Sequence, residues 1–183
     1  MYKTLFASVA ILSLNSTPLN AVEFGVGINL SGSGSTIYLP VNITENLRIE
    51  PYLSILKSTD KGGAQPTDYS STIETNNFGL GLFYVKHISD NKNVIIGVSA
   101  DYLRGKRNSI SGGISTSDYK VRGYSIGPVL GVEYFPIPGL SIGGDVSWEY
   151  SKRFEHSQDL VNSDIYNTSS RTTTNATIKY YFE

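Results

Sequence analysis

The side chains able to do chemistry are few and fall into three groups. The first is the run "HISD", where His87 and Ser89 put an imidazole close to a hydroxyl, with Asp101 a strand further on. A base beside a hydroxyl nucleophile, oriented by an acid, is the constellation of a hydrolase. The second group is a set of charges scattered singly through uncharged segments: Arg48, Glu50, Asp101, Glu133, Asp145, Glu149 and Lys179. Gathered on one buried face, they would form a network of ion pairs and hydrogen bonds, since a buried charge is costly unless paired. The third is a clustering of bases: Arg104, Lys106, Arg107, Lys120, Arg122, Lys152, Arg153 and Arg171, with Lys57 and Lys61. Arg and Lys donate to phosphate oxygens. His156 has no nucleophile near it. With two His and no Cys, the chain shows no metal-ligand spacing.

What positions these residues is a series of alternating segments. Read in steps of two from Val22, the chain splits into eight. The first sets Val22, Phe24, Val26, Ile28 and Leu30 against Glu23, Gly25, Gly27 and Asn29. The second, "TIYLPVNI", and the third, "LRIEPYLSILK", repeat the pattern, with Arg48 and Glu50 on the polar side. Phe78, Leu80, Leu82 and Tyr84 mark the fourth, and Val94 to Tyr102 the fifth. The sixth sets Tyr124, Ile126, Leu130, Val132 and Tyr134 against Gly123, Ser125, Gly127, Gly131 and Glu133. The seventh sets Leu140, Ile142, Val146, Trp148 and Tyr150 against Ser141, Gly143, Asp145, Ser147 and Glu149. The eighth is "TTTNATIKYYFE". Strict period-two alternation predicts strands. "ITEN", "ISDNKN" and "FPIPG" predict tight turns at one end. The polar stretches near 58–73, 106–118 and 154–170 predict longer loops at the other.

Residues 1–21 have the form of a cleaved secretory signal. Lys3 precedes an apolar run from Leu5 to Leu14, and Pro18 and Ala21 precede the cut. Residues 22–183 then form one domain. Losing Lys3 takes the net charge from −1 to −2, which does not suit nucleic-acid binding. No apolar stretch beyond residue 21 has the roughly 20 residues of a membrane helix. A membrane crossing must therefore be a closed barrel. A soluble barrel would bury the apolar face and expose the other. That apolar face carries Phe24, Leu80, Trp148, Tyr150 and Phe182, bulky for the inside of eight strands. The opposite face is Gly, Ser, Thr and Asn with sparse charge, which suits a narrow packed lumen. Tyrosines lie toward both ends of the apolar face, as a lipid-facing band requires. The expectation is an all-β, eight-stranded antiparallel transmembrane β-barrel with short periplasmic turns and longer external loops.

With its signal, eight alternating strands, glycine-rich inner face and terminal "IKYYF", the chain resembles the small eight-stranded outer-membrane proteins of the OmpA/OmpX-like type. The resemblance implies the outer membrane of a Gram-negative bacterium and a monomeric barrel. It also implies that Ile178, Tyr180 and Phe182 serve as the signal read by the outer-membrane assembly machinery. In the family the aromatic is usually the last residue, whereas here Glu183 follows it.

In that setting the lumen charges form either a plug or, because acids outnumber bases, a narrow cation-preferring pore. The eight clustered bases fall at the long-loop end, where they would hold the phosphates of lipopolysaccharide or simply snorkel to water. Alternation points Arg104, Arg122 and Lys152 outward with Tyr102, Tyr124 and Tyr150. Some eight-stranded barrels deacylate lipid A through a His-x-Ser-Asn motif. Here Asp90 replaces the Asn, and His87 falls at a periplasmic turn. The expected role is therefore structural or interactive, through envelope integrity, surface adhesion or lipopolysaccharide contact. It involves no enzyme activity, cofactor or metal, and no nucleic acid.

Overall fold

The computed structural model describes residues 22–30, 34–62, 69–111, 114–157 and 164–182. The proposed signal, 1–21, and Glu183 lie outside the described residues. The described residues form nine strands: β1 (Glu23–Asn29), β2 (Gly34–Tyr38), β3 (Val41–Thr44), β4 (Leu47–Gly62), β5 (Tyr69–Ser89), β6 (Lys92–Ser111), β7 (Ile114–Ile137), β8 (Leu140–Ser157) and β9 (Asp164–Phe182). Each pairs antiparallel with its neighbours, and β1 pairs with β9 from Phe24↔Phe182 to Asn29↔Thr177. The sheet thus closes on itself.

The nine strands make eight staves. β2 and β3 hold one register against β4, with Tyr38↔Tyr52 on one side of the break and Val41↔Ile49 on the other. They are the single strand expected from "TIYLPVNI", interrupted at Leu39 and Pro40. Proline has no N–H for the ladder. Its carbonyl still accepts from Gly25 N at 2.8 Å, so the stave stays joined to β1 across the break.

The three tight joints fall together, at Glu45–Asn46, Asp90–Asn91 and Pro138–Gly139. Gly139 sits at φ 77, a conformation that suits glycine. Its carbonyl accepts from Tyr181 N at 2.7 Å and so ties the last strand to this turn. At the other end the structure departs from expectation. Most of the stretches read as loops near 58–73, 106–118 and 154–170 continue as paired strand. Register runs unbroken to Gly62↔Tyr69, and pairing reaches Ser111↔Ile114 and His156↔Asp164. These segments are mostly polar, with isolated apolar side chains such as Ile110, Ile165 and Tyr166 exposed on them. Regular apolar alternation therefore stops, while the backbone ladder goes on. A membrane strand needs about 9–11 residues. β5 has 21 and β7 has 24, so the sheet projects well beyond the apolar band.

Alternation sets the two faces as expected. Phe24, Leu80, Leu130, Trp148 and Phe182 are among the exposed outward residues, while Arg48, Glu50, Glu133 and Lys179 are buried inside. The inner face is not wholly polar. Phe83, Ile95 and Val129 pack together in the lumen, and Val85, Val121 and Tyr181 are buried there too. Among the described residues no helix is long and apolar enough to cross a membrane. The crossing is made by strands.

Candidate functional site

The lumen charges assemble in two levels. In the lower level, Arg48 on β4 reaches Glu133 on β7, with a nitrogen–oxygen distance of 2.8 Å. Lys179 on β9 donates to Glu50 at 2.7 Å and lies 3.2 Å from Glu133. Two bases meet two acids, so the cluster is neutral. Tyr181 completes it. Its hydroxyl donates to Glu133 at 3.2 Å, and the Arg48 guanidinium stands 5.2 Å from its ring centre. The Arg48 side chain is 1 % exposed and Lys179 is 6 % exposed. Eight strands leave an interior narrow enough for side chains to fill, so this cluster crosses the lumen. Tyr181 was not among the residues singled out from the sequence, although it shares its alternation phase with Lys179.

Above this level, toward the long hairpins, lies a cavity of about 460 Å³. Asp101, Asp145 and Glu149 face it. Tyr52 and Ser125 donate to Asp101, and Asn175 donates to Asp145 at 2.9 Å. Glu149 pairs with Arg171 at 2.9 Å near the mouth. The structure therefore splits the seven predicted lumen charges. Arg48, Glu50, Glu133 and Lys179 form one cluster, and the other three acids line the cavity.

The clustered bases split as well. Arg104 lies opposite Arg122, Lys106 opposite Lys120, and Lys152 opposite Tyr124. Those five project outward, four of them beyond the paired Tyr102 and Tyr124 and Lys152 beside Tyr124. Phe154 and Tyr166 extend the same surface, their rings edge to face at 5.4 Å, with Lys152 Nζ 5.5 Å from the Phe154 centre. Arg107, Arg153 and Arg171 have the opposite phase. Arg107 pairs with the buried Glu155 at 2.7 Å, Arg171 pairs with Glu149, and Arg153 shares the phase of Glu155. These three depart from the outer set expected on sequence. All eight bases lie at one end of the chain's hairpins, but period two sends every second residue inward.

On the extension of the sheet, Lys57 holds Glu74 at 2.6 Å with both side chains exposed. The carboxyl of Glu74 is thereby kept below the usual glutamate range, first through that hydrogen bond and then through the charge of Lys57.

The remaining candidates are placed as follows. The His87 ring contacts Asn93 Oδ1 at 2.7 Å and the Glu45 carbonyl at 3.1 Å. Ser89 donates to Asn91, and Asp101 lies in the upper cavity. The three do not converge. Ile178, Tyr180 and Phe182 face outward beside β1, with Ile178 opposite Ile28 and Phe182 opposite Phe24.

No protein-family model and no curated protein matches the chain. Solved structures do. A major outer membrane protein from Thermus thermophilus superposes with a TM-score of 0.58 at 14% identity, covering 89% of this chain and 100% of that one. Neisserial surface protein A covers 88% of this chain and 94% of its own, with a TM-score of 0.45 at 16% identity. Ail, the attachment invasion locus protein of Yersinia pestis, covers 87% and 93%, with a TM-score of 0.43 at 11% identity. Identities this low speak for fold. A closed eight-stave sheet, largely polar within and ringed by apolar side chains, has the architecture of the small outer-membrane β-barrels.

Proposed function

We propose that the protein is a surface-interaction barrel whose outward bases hold the phosphates of lipopolysaccharide in the outer leaflet. The observation that carries this reading is the pairing of like charges. Arg104 faces Arg122 and Lys106 faces Lys120 directly across two strands. Like charges opposite one another destabilise a sheet. An anion shared between each pair would reverse the sign of that interaction. Glu74 lies opposite Lys106, but it is held by Lys57. The tyrosines Tyr102 and Tyr124 sit one step down the strands, where an aromatic girdle marks a membrane boundary. Each charge-assisted contact to phosphate contributes on the order of 1.5–3 kcal/mol before screening.

The test is the triple variant Arg104→Gln, Arg122→Gln, Lys152→Gln, with lipopolysaccharide measured in the purified protein. The expected result is a folded barrel that co-purifies several-fold less of the lipid and loses the stabilisation the lipid gives. Equal retention of lipid by the variant would reduce these bases to snorkelling side chains. The narrow-pore alternative meets the lower charge cluster and the Phe83, Ile95 and Val129 group, both of which occupy the lumen.

A further inference from the structure

The upper cavity combines features that favour a positively charged guest. Its floor includes Phe83 and Val129, and its mouth includes the exposed Arg171. Of the four acids lining it, Glu50 is answered by Lys179 and Glu149 by Arg171. Asp101 and Asp145 are held by neutral donors only: Tyr52 and Ser125 for the first, Asn175 for the second. Among the described residues, neither lies within ion-pair reach of a base. A third wall atom, Asn77 Oδ1, is buried and accepts no hydrogen bond. Tyr38 and Tyr52 stand side by side in the wall, ring centres 5.7 Å apart. A tyrosine face attracts a cation.

The molecule already contains one example of the contact. The Lys179 ammonium sits at the base of this cavity, 2.7 Å from Glu50 and 5.6 Å from the Tyr38 ring centre. Two carboxylates, Glu50 and Glu133, and one tyrosine face thus hold an ammonium below. Asp101 and Tyr52, joined at 3.3 Å, place a carboxylate beside a tyrosine above, with no base among the described residues within ion-pair distance.

We propose that this cavity binds a small organic cation with ammonium groups at two ends, such as a diamine, one end on Asp101 and the other on Asp145. About 460 Å³ is within the range of small-molecule sites. A metal ion fits less well, because among the described residues no three His, Asp or Glu side chains gather closely enough to ligate one. The inference is independent of the lipid-binding role, since it uses only inward-facing groups.

The experiment is titration of the refolded barrel in detergent micelles with 1,4-diaminobutane, followed by calorimetry and by the ring resonances of Tyr38 and Tyr52. Saturable binding is expected, with both rings shifted. Asp101→Asn and Asp145→Asn each keep shape and acceptors while removing charge, and each should weaken binding about tenfold, the size of one charge-assisted contact. Folding is read from heat-dependent gel migration. Should either variant fail to fold, Asn77→Leu supplies a second arm, with a several-fold loss expected. No saturable binding to the folded wild type would overturn the proposal, as would unchanged affinity in the folded variants. Equal competition by sodium or calcium at the diamine's own concentration would make this a simple cation site and overturn it as well.

Discussion

The Arg48 guanidinium lies 2.8 Å from the Glu133 carboxylate, and the two side chains are each 1 % exposed. The pair links β4 to β7 through the lumen. Removing one partner leaves an uncompensated buried charge, which costs about 3–5 kcal/mol. Arg48→Met should fall toward the lower end, because Lys179 remains 3.2 Å from Glu133. The double variant Arg48→Met, Glu133→Leu should recover much of the loss. Urea unfolding in micelles measures both. A single variant as stable as wild type would show that the pair is not needed to balance the buried charge.

Gly127 bounds how tightly the staves pack. A Cβ there would stand 2.0 Å from the Trp148 carbonyl oxygen, a backbone atom that cannot turn aside. Gly127→Ala must therefore part β7 from β8, and overpacking of this kind costs about 1–3 kcal/mol or more. Gly62 has nothing within 4 Å of the same position. Gly62→Ala should fold like wild type, while Gly127→Ala should give less heat-resistant folded protein on a gel.

Trp148 is the sole tryptophan and is 59 % exposed on the outward face. In a bilayer it should face acyl chains. Its emission should move to the blue on folding into vesicles, and lipids brominated on their chains should quench it. Emission that stays red and answers only to aqueous quenchers would contradict the outward apolar band.

Glu74 reports on the projecting sheet. Its carboxyl is lowered by the Lys57 hydrogen bond, then by the Lys57 charge. A lowered folded value means that the pair's contribution is complete above the ordinary glutamate range. It is lost as pH falls through the lower, folded value. Carboxyl resonances followed by NMR should show Glu74 titrating below the usual glutamate range. Lys57→Met should return it to the ordinary range, and no movement in that variant would contradict the pairing. The pair is exposed, so little change in overall stability is expected.

The staves and their faces were legible because a sheet with an apolar environment on one face and a polar one on the other imposes a period of two. Phe24, Leu80 and Trp148 out, with Arg48 and Glu133 in, follow from it directly. Strand length was not legible. Thr72, Asn108 and Thr168 lie on extensions whose inner face is buried by polar side chains such as Ser71, Ser109 and Glu155, so no apolar rhythm marks them as paired. The inward Phe83 and Ile95 were hidden for the opposite reason, because an apolar residue in the polar phase reads as noise until its neighbours are known. The division of the bases was legible in part. Alternation pointed Arg104, Arg122 and Lys152 outward, yet Arg107 and Arg171 look equally suited to phosphate until Glu155 and Glu149 are found beside them.

The seven residues of β1 have a mechanical consequence. β1 is held by six residue pairs to β9 on one side and by four to β2 and β3 on the other, against twenty between β6 and β7, and its β9 partners lie far along the chain. Joining distant segments also carries the largest loop-closure entropy. The hoop is therefore weakest around β1, and loop-closure entropy favours a ribbon of the long hairpins that exists before that clasp shuts. Under partial denaturation, amide protons along β1 should exchange before those in the membrane-spanning part of β6 and β7. Uniform exchange around the ring would mean that the clasp is as strong as the wall.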